Sequence, residues 1–342
     1  MSETVHLPRK PDTPLSYRFL PGHGPLSTTH LIIFLNGLIV PQNGWQPTID
    51  HLQRDWAKEG RKANHPALLT YDRYGQGESG RDPTDEQHGG SHNIYEVISD
   101  LHALAREIWK TKAKEASDGQ RQDIAELAEL AEAPKLVFVA HSIGCVIARL
   151  YTMTYPGTVA GLLLLDSNIA NSDLVSLFPD PDEPDFDPVF LPQDVTVKDL
   201  RRTREEYRSH FHPSAPNPEH LDRRNIASLL PYSDRPKLQG PEENGWRRWP
   251  YLTVVEHDWE AFAEEGFRGS MKVPKGLTNA FVNPAWREYN AGLKRLVQAE
   301  RACGHVIARG CGHFIQKDDP ALVASLTEEL LWKIYARKAA GR

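Results

Sequence analysis

Residues 136–150 read LVFVAHSIGCVIARL: a short apolar run rich in valine, then His-Ser-Ile-Gly, then apolar residues at helical spacing. Ser142 stands at the reversal, with Ala140 two before it and Gly144 two after. A strand-to-helix turn built on small residues lifts a hydroxyl clear of the sheet, and the backbone N–H that follows faces the same space. A serine hydroxyl is a poor nucleophile until a base takes its proton, and that base is usually a histidine oriented by a carboxylate. Among 15 histidines, His313 lies in GCGHF, between the last strand-like run and the last helical pattern, where a side chain can reach back over a sheet edge. Two aspartates could orient it. Asp166 ends GLLLLD, and Asp258 follows YLTVVEH, with Glu256 nearby. Each also has an ordinary structural role open to it: Asp166 in a turn or cap, Asp258 as the N-cap of WEAFAEE.

The elements that must position these groups follow from periodicity. HLIIFL (30–35), ALLTYD (67–72), 136–140 and GLLLLD (161–166) read as strands. Between them WQPTIDHLQRDWAKEG, NIYEVISDLHALAREIWKTKAKE and the segment after Ser142 place apolar residues three and four apart, as helices do. Alternation of this kind predicts an α/β fold: a doubly wound, mostly parallel sheet with helices on both faces. Strand character returns in YLTVVE (251–256) and HVIARG (305–310), with helices expected over 286–300 and 320–338. Residues 171–249 break the pattern, being rich in Pro, Asp and Arg with a helical stretch in VKDLRRTREEYRSHF. They read as a cap inserted into a core formed by 1–170 and 250–342. The Ala/Glu/Lys-rich stretch at 112–134 reads as an exposed helical extension.

Composition narrows the partners. The 342 residues suffice for one large domain with an insertion, or for two domains, and a net charge of −6 without a dominant single-sign block offers nothing to a nucleic-acid backbone or an anionic membrane. Cys145, Cys303 and Cys311 form neither CxxC nor an even framework, which suits a reducing compartment. The polar, Pro-rich N-terminus lacks the apolar core of a signal peptide, and no apolar run approaches the ~20 residues that span a bilayer. The expectation is a soluble cytoplasmic protein acting on a small molecule.

FLNG at 34–37, YDRYGQGES at 71–79, AHSIG at 140–144, LLLLDS at 162–167 and GCGHF at 310–314 together resemble the α/β-hydrolase fold family over about residues 30–335, the cap excepted. The usual elbow is GxSxG, with alanine here replacing the first glycine. The resemblance implies the order serine, acid, histidine. It implies that Leu38, after Asn36-Gly37, and Ile143, after the serine, supply the oxyanion-hole N–H groups. Asn36 replaces the usual histidine, at little cost because the backbone donates. The acid in this family more often follows the later strand, after a glycine that VVEHDWE lacks, so Asp166 is preferred over Asp258.

A serine rather than an aspartate at the elbow separates this chain from the family's haloalkane dehalogenases and epoxide hydrolases. What the resemblance implies is a serine hydrolase of an ester or lactone, needing no cofactor or metal, with Ser142 as nucleophile, His313 as base and then acid, and Asp166 orienting it. A non-hydrolytic acyltransferase or lyase with the same triad is an alternative, as is a non-catalytic ligand-binding protein. The cap aromatics Phe178, Phe186, Phe190, Tyr207, Phe211, Tyr232, Trp246 and Trp249 suggest a partly apolar substrate, at least half of them being expected in the cap's own core. YDRYGQGES lacks GxGxxG and reads as a tight turn in which Asp72 and Arg73 pair locally, HFH at 210–212 as helix-end histidines, and the acidic 180–188 as a solvated loop.

Overall fold

The computed structural model describes residues 2–58, 64–119, 133–243 and 246–340. Eight strands form one sheet: β1 (Glu3–Leu7), β2 (Lys10–Leu20), β3 (His30–Leu35), β4 (Ala67–Tyr71), β5 (Lys135–His141), β6 (Val159–Leu165), β7 (Tyr251–His257) and β8 (Ala302–Ala308). Their spatial order is β1-β2-β4-β3-β5-β6-β7-β8. From β4 to β8 every neighbouring pair is parallel, while β1 and β2 join antiparallel at one edge. The expected mostly parallel sheet is therefore present, and the β1-β2 hairpin is an addition to it.

The central strands read as continuous apolar runs because both faces are covered. Along β3, Leu31, Ile33 and Leu35 enter one buried cluster, while Ile32 and Phe34 enter the other. Strands β5 and β6 alternate the same way, with Phe138 and Leu162 on the first face and Val139 and Leu163 on the second. Helices α2 (Ile94–Gly119) and α3 (Ile143–Thr154) cover the first face through Ile98, Leu101 and Ile147. Helices α1 (Gln46–Trp56) and α7 (Pro320–Ala340) cover the second through Ile49, Leu52, Val323 and Leu330. The helical extension expected at 112–134 is described only as far as Gly119; the remainder to 132, with positions 59–60 of the first helical pattern, lies outside the described residues.

Residues 171–249 hold one long helix, α4 (Val197–His210), opened by a capping box between Thr196 and Asp199. Among the described residues, their apolar side chains do not form a separate core. Phe178, Leu200, Tyr207, Leu221 and Leu230 share the first-face cluster with Val273, Leu277 and Trp286 from the chain between β7 and β8. That connection holds α5 (Trp259–Arg268) and α6 (Asn283–Leu293), of which the first was foreseen only as a helix start behind Asp258. Phe178 and Tyr207 meet edge to face at 4.7 Å, Phe190 is exposed, and the side chain of Trp246 lies outside the described residues. All three cysteines are free, with Cys145 and Cys311 buried. No helix among the described residues is long and apolar enough to cross a membrane.

Candidate active site

The strand order reverses at β3: the chain moves outward from β3 to β4, then returns to place β5 on the other side of β3. In open α/β sheets a ligand crevice forms outside the carboxyl ends of the strands at such a switch point. The chain leaves β3 into Asn36-Gly37-Leu38, β5 into Ser142 and β6 into Asp166, while His257 ends β7 and His313 follows β8. Five successive carboxyl ends thus deliver polar groups to one edge.

Ser142 has φ 54° and ψ −121°, a conformation unfavourable to a residue with a side chain. Its backbone is held there from both sides: its N–H donates to the Leu165 carbonyl at 3.1 Å, and its own carbonyl accepts from Cys145 N at 3.0 Å and Asn168 N at 3.3 Å. Gly144 is required by proximity, because a Cβ there would lie 2.4 Å from the Leu35 carbonyl oxygen. Ser142 itself is half-buried at the start of α3. Ile143 is the first residue of that helix, and N–H groups of a first turn have no intrahelical acceptor.

The second proposed donor, Leu38, is oriented indirectly. Arg73 donates from Nη1 to the Asn36 carbonyl and from Nη2 to the Gly37 carbonyl, both at 2.8 Å, and Gln76 Nε2 also reaches the Gly37 carbonyl at 2.9 Å. In a trans peptide the N–H points opposite to the C=O. Holding the Gly37 oxygen on the Arg73 side therefore turns the Leu38 N–H to the other side. Gly37 abuts the elbow, since a Cβ on it would stand 2.7 Å from His141 Nδ1 and 3.5 Å from Ser142 Cβ. Arg73 is in turn clamped by Glu219 of the 171–249 segment through Nε at 2.7 Å and Nη2 at 2.8 Å, with both side chains buried. This corrects the expected local pairing with Asp72. Asp72 instead accepts from Gln42 N and Glu78 N, inside a turn where Gly77 has φ 53° and no room for a side chain.

Asp166 and His313 are brought together. His313 Nδ1 lies 2.6 Å from Asp166 Oδ2, so the ring donates there and leaves Nε2 as the proton-accepting nitrogen. The loop carrying His313 is fastened by Glu265, whose carboxylate accepts from His313 N at 2.7 Å, and by Asp318, which accepts from Gly312 N at 2.9 Å. His141 adds a third tie by donating from Nε2 to the His313 carbonyl at 2.9 Å, and burial next to His313 pushes its pKa down to about 3. Asp258 is elsewhere employed: it caps α5, accepting from Glu260 N and Ala261 N. His210 and His212, of the HFH, bond to local groups, Glu206 carbonyl and Ser214 hydroxyl respectively. No cluster of metal-ligating side chains occurs among the described residues.

One participant was missed. His257 sits between the weighed residues Glu256 and Asp258, and its Nδ1 lies 2.8 Å from Asp166 Oδ1 while its backbone N–H donates to the same oxygen at 3.3 Å. Asp166 is fully buried between two imidazoles. Burial alone would raise its pKa, but the charge and hydrogen bond of His257, with those of His313, hold the carboxyl below the usual range. The one sequence signal was a histidine ending a fully buried strand, where a polar side chain must find partners.

A family model described as the alpha/beta hydrolase family matches residues 32–326. No curated protein matches the chain. Among solved structures, an epoxide hydrolase variant from Vigna radiata superposes with a TM-score of 0.53 at 13% identity, covering 97% of this chain and 98% of that one. A thermophilic esterase from Thermogutta terrifontis gives 0.50 at 14% identity, covering 98% and 99%. At these identities the structural likeness speaks to the fold.

Proposed function

The chain belongs to the alpha/beta hydrolase family, and from that premise we propose that it is a serine hydrolase, cleaving a carboxylic ester or lactone of a small, partly apolar metabolite through an acyl-enzyme. The observation carrying this reading is the 2.6 Å contact between His313 Nδ1 and Asp166 at the strand ends flanking the strained elbow of Ser142. The carboxylate fixes the tautomer that leaves Nε2 free to take a proton.

In this reading Ser142 Oγ attacks the substrate carbonyl carbon as its proton passes to His313 Nε2. The Leu38 and Ile143 N–H groups receive the negative charge that develops on the carbonyl oxygen, a term whose loss costs about 10²- to 10³-fold in similar sites. His313 then returns the proton to the leaving alkoxide. Water, deprotonated by the same nitrogen, releases the acid from Ser142. Residues 171–249 serve as the cap, and Glu219 joins it to the oxyanion peptide through Arg73. A lactone differs from an ester only in that the leaving alkoxide stays tethered to the acyl group, so both fit the same residues.

The reading is tested with a panel of chromogenic esters and lactones in ¹⁸O-labelled water. Turnover with one labelled oxygen in the product acid, lost in Ser142→Ala, is expected. Acyl transfer to an added alcohol without label would favour an acyltransferase, and binding without turnover by the wild-type protein would favour a ligand-binding role.

A further inference from the structure

The contacts of His257 fix its protonation as well as its position. Its Nδ1 faces Asp166 Oδ1, an oxygen that as part of a carboxylate only accepts, so Nδ1 carries a proton. Its Nε2 lies 3.0 Å from Asn283 Oδ1. The Asn283 amide cannot be turned over to offer its nitrogen instead, because Nδ2 already donates to the Trp259 carbonyl at 3.2 Å and to Asn279 Oδ1 at 2.7 Å. A reversed amide would set its oxygen against the Trp259 carbonyl oxygen. Both ring nitrogens therefore donate, which a neutral imidazole cannot do.

We infer that His257 is a buried imidazolium that neutralises Asp166, and that it is a positioning residue setting the pH range in which His313 acts as base. The kinetic half of this statement rests on the proposed Ser142–His313–Asp166 triad; the protonation half does not.

The surroundings of the ring agree with a cation. His257 is fully buried; Phe262 stacks on it at 4.1 Å and 20°, and Trp286 meets it edge to face at 5.7 Å. The ionisable groups around it are Asp166 at the end of β6, His313 across that carboxylate, and its chain neighbour Glu256, which pairs with the His305 imidazole at 2.7 Å and is engaged by Trp259 Nε1 at 3.0 Å and Arg287 Nε at 3.2 Å. Burial pulls the pKa of His257 down, but the Asp166 charge and hydrogen bond, then the Asn283 bond, leave it raised. His313 is faced by Asp166, by His141 at 4.7 Å between ring centroids, by Trp286 and Phe314, and by Glu265 at its backbone.

The charge count shows what this does. At rest the carboxylate and His257 sum to zero, with His313 neutral. When the proton leaves Ser142 Oγ for His313 Nε2, one positive charge forms on the imidazole and one negative charge on the oxyanion, and the sum is again zero. No proton moves to or from Asp166 or His257. Without the His257 charge the same carboxylate would attract a proton onto His313 more strongly, closing the site at higher pH.

Imidazole ¹⁵N NMR of the wild-type protein, assigned with His257→Asn, tests the protonation directly. Both His257 nitrogens should remain protonated just above the ordinary histidine pKa of about 6.5, where a free imidazole has lost its proton; a bare nitrogen at residue 257 there overturns the inference. The kinetic half is read from kcat/KM against pH. His257→Asn keeps an N–H for Asp166 but no charge, so its acid limb should move upward by about one pH unit, roughly a fivefold loss at the midpoint of the wild-type limb and approaching tenfold below it. A uniform loss at every pH, with the limb unmoved, would mean that His257 only supports the fold and would overturn the inference. Should the variant fail to fold, the His257 ring is assigned instead by through-bond correlation to its own backbone, and the wild-type spectrum still decides the protonation. Turnover surviving in Ser142→Ala would sink the triad reading while leaving the NMR result standing on its own.

Discussion

The clamp between Arg73 and Glu219 allows catalysis to be separated from stability. Breaking a buried ion pair by removing one partner leaves the other charge stranded, at about 3–5 kcal/mol, whereas replacing both with apolar groups is often close to neutral. Arg73→Met and Glu219→Leu should each lower the denaturation midpoint strongly, and the double variant should recover most of the loss. Activity should not recover with it. Arg73 is the donor that holds the carbonyls of both Asn36 and Gly37, and only Gln76 would still grip the second. Losing one oxyanion donor outright costs about 10²- to 10³-fold, and a donor partly held by Gln76 should cost about 10- to 100-fold, or roughly 1.4–2.7 kcal/mol of transition-state stabilisation. The assay is kcat on an activated ester alongside urea denaturation of all four proteins. A double variant with wild-type kcat would refute the claim that Arg73 orients the Leu38 N–H.

Other expectations follow from the same geometry. Asp166→Asn should lower turnover by about 10⁴-fold, since the amide cannot accept from both imidazoles and favours the wrong tautomer of His313. Asp258→Asn should leave kcat nearly unchanged, asparagine being an equally good N-cap; comparison of the two variants on one ester checks both. Gly144→Ala must displace the Leu35 carbonyl, 2.4 Å from the new Cβ, and should cost about 1–3 kcal/mol in a denaturation experiment together with activity. The Asp166–His257 pair should make stability depend on pH at both ends. The depressed Asp166 contributes fully above about pH 4 and loses that contribution as pH falls through its folded value. The raised His257 contributes fully below about pH 6.5 and loses it as pH rises through its folded value. The urea midpoint should therefore fall on the alkaline side in wild type, and that fall should be absent in His257→Asn.

What could be read from the sequence were features written in short stretches. LIIFL and the valine-rich run before Ser142 announced strands covered on both faces because every position is apolar, and AHSIG announced the turn because small residues bracket a serine. The β1-β2 hairpin escaped notice because it lies at the sheet edge, where Pro8, Lys10, Pro11, Asp12 and Pro14 resemble a polar tail. Arg73 was assigned a local partner because its true one, Glu219, stands 146 positions away in an irregular segment. His257 was passed over between two carboxylates that looked like the chemistry. Its importance comes from Asp166, Asn283 and Phe262, which only the folded chain places around it.

The central claim is that the Ser142 hydroxyl becomes a nucleophile by giving its proton to His313. A fluorophosphonate probe followed by peptide mass mapping tests it most directly. The account predicts one adduct per chain, on Ser142, absent in Ser142→Ala and strongly slowed in His313→Ala. A fully folded wild-type protein that takes no label, or labels elsewhere with Ser142 untouched, would contradict it.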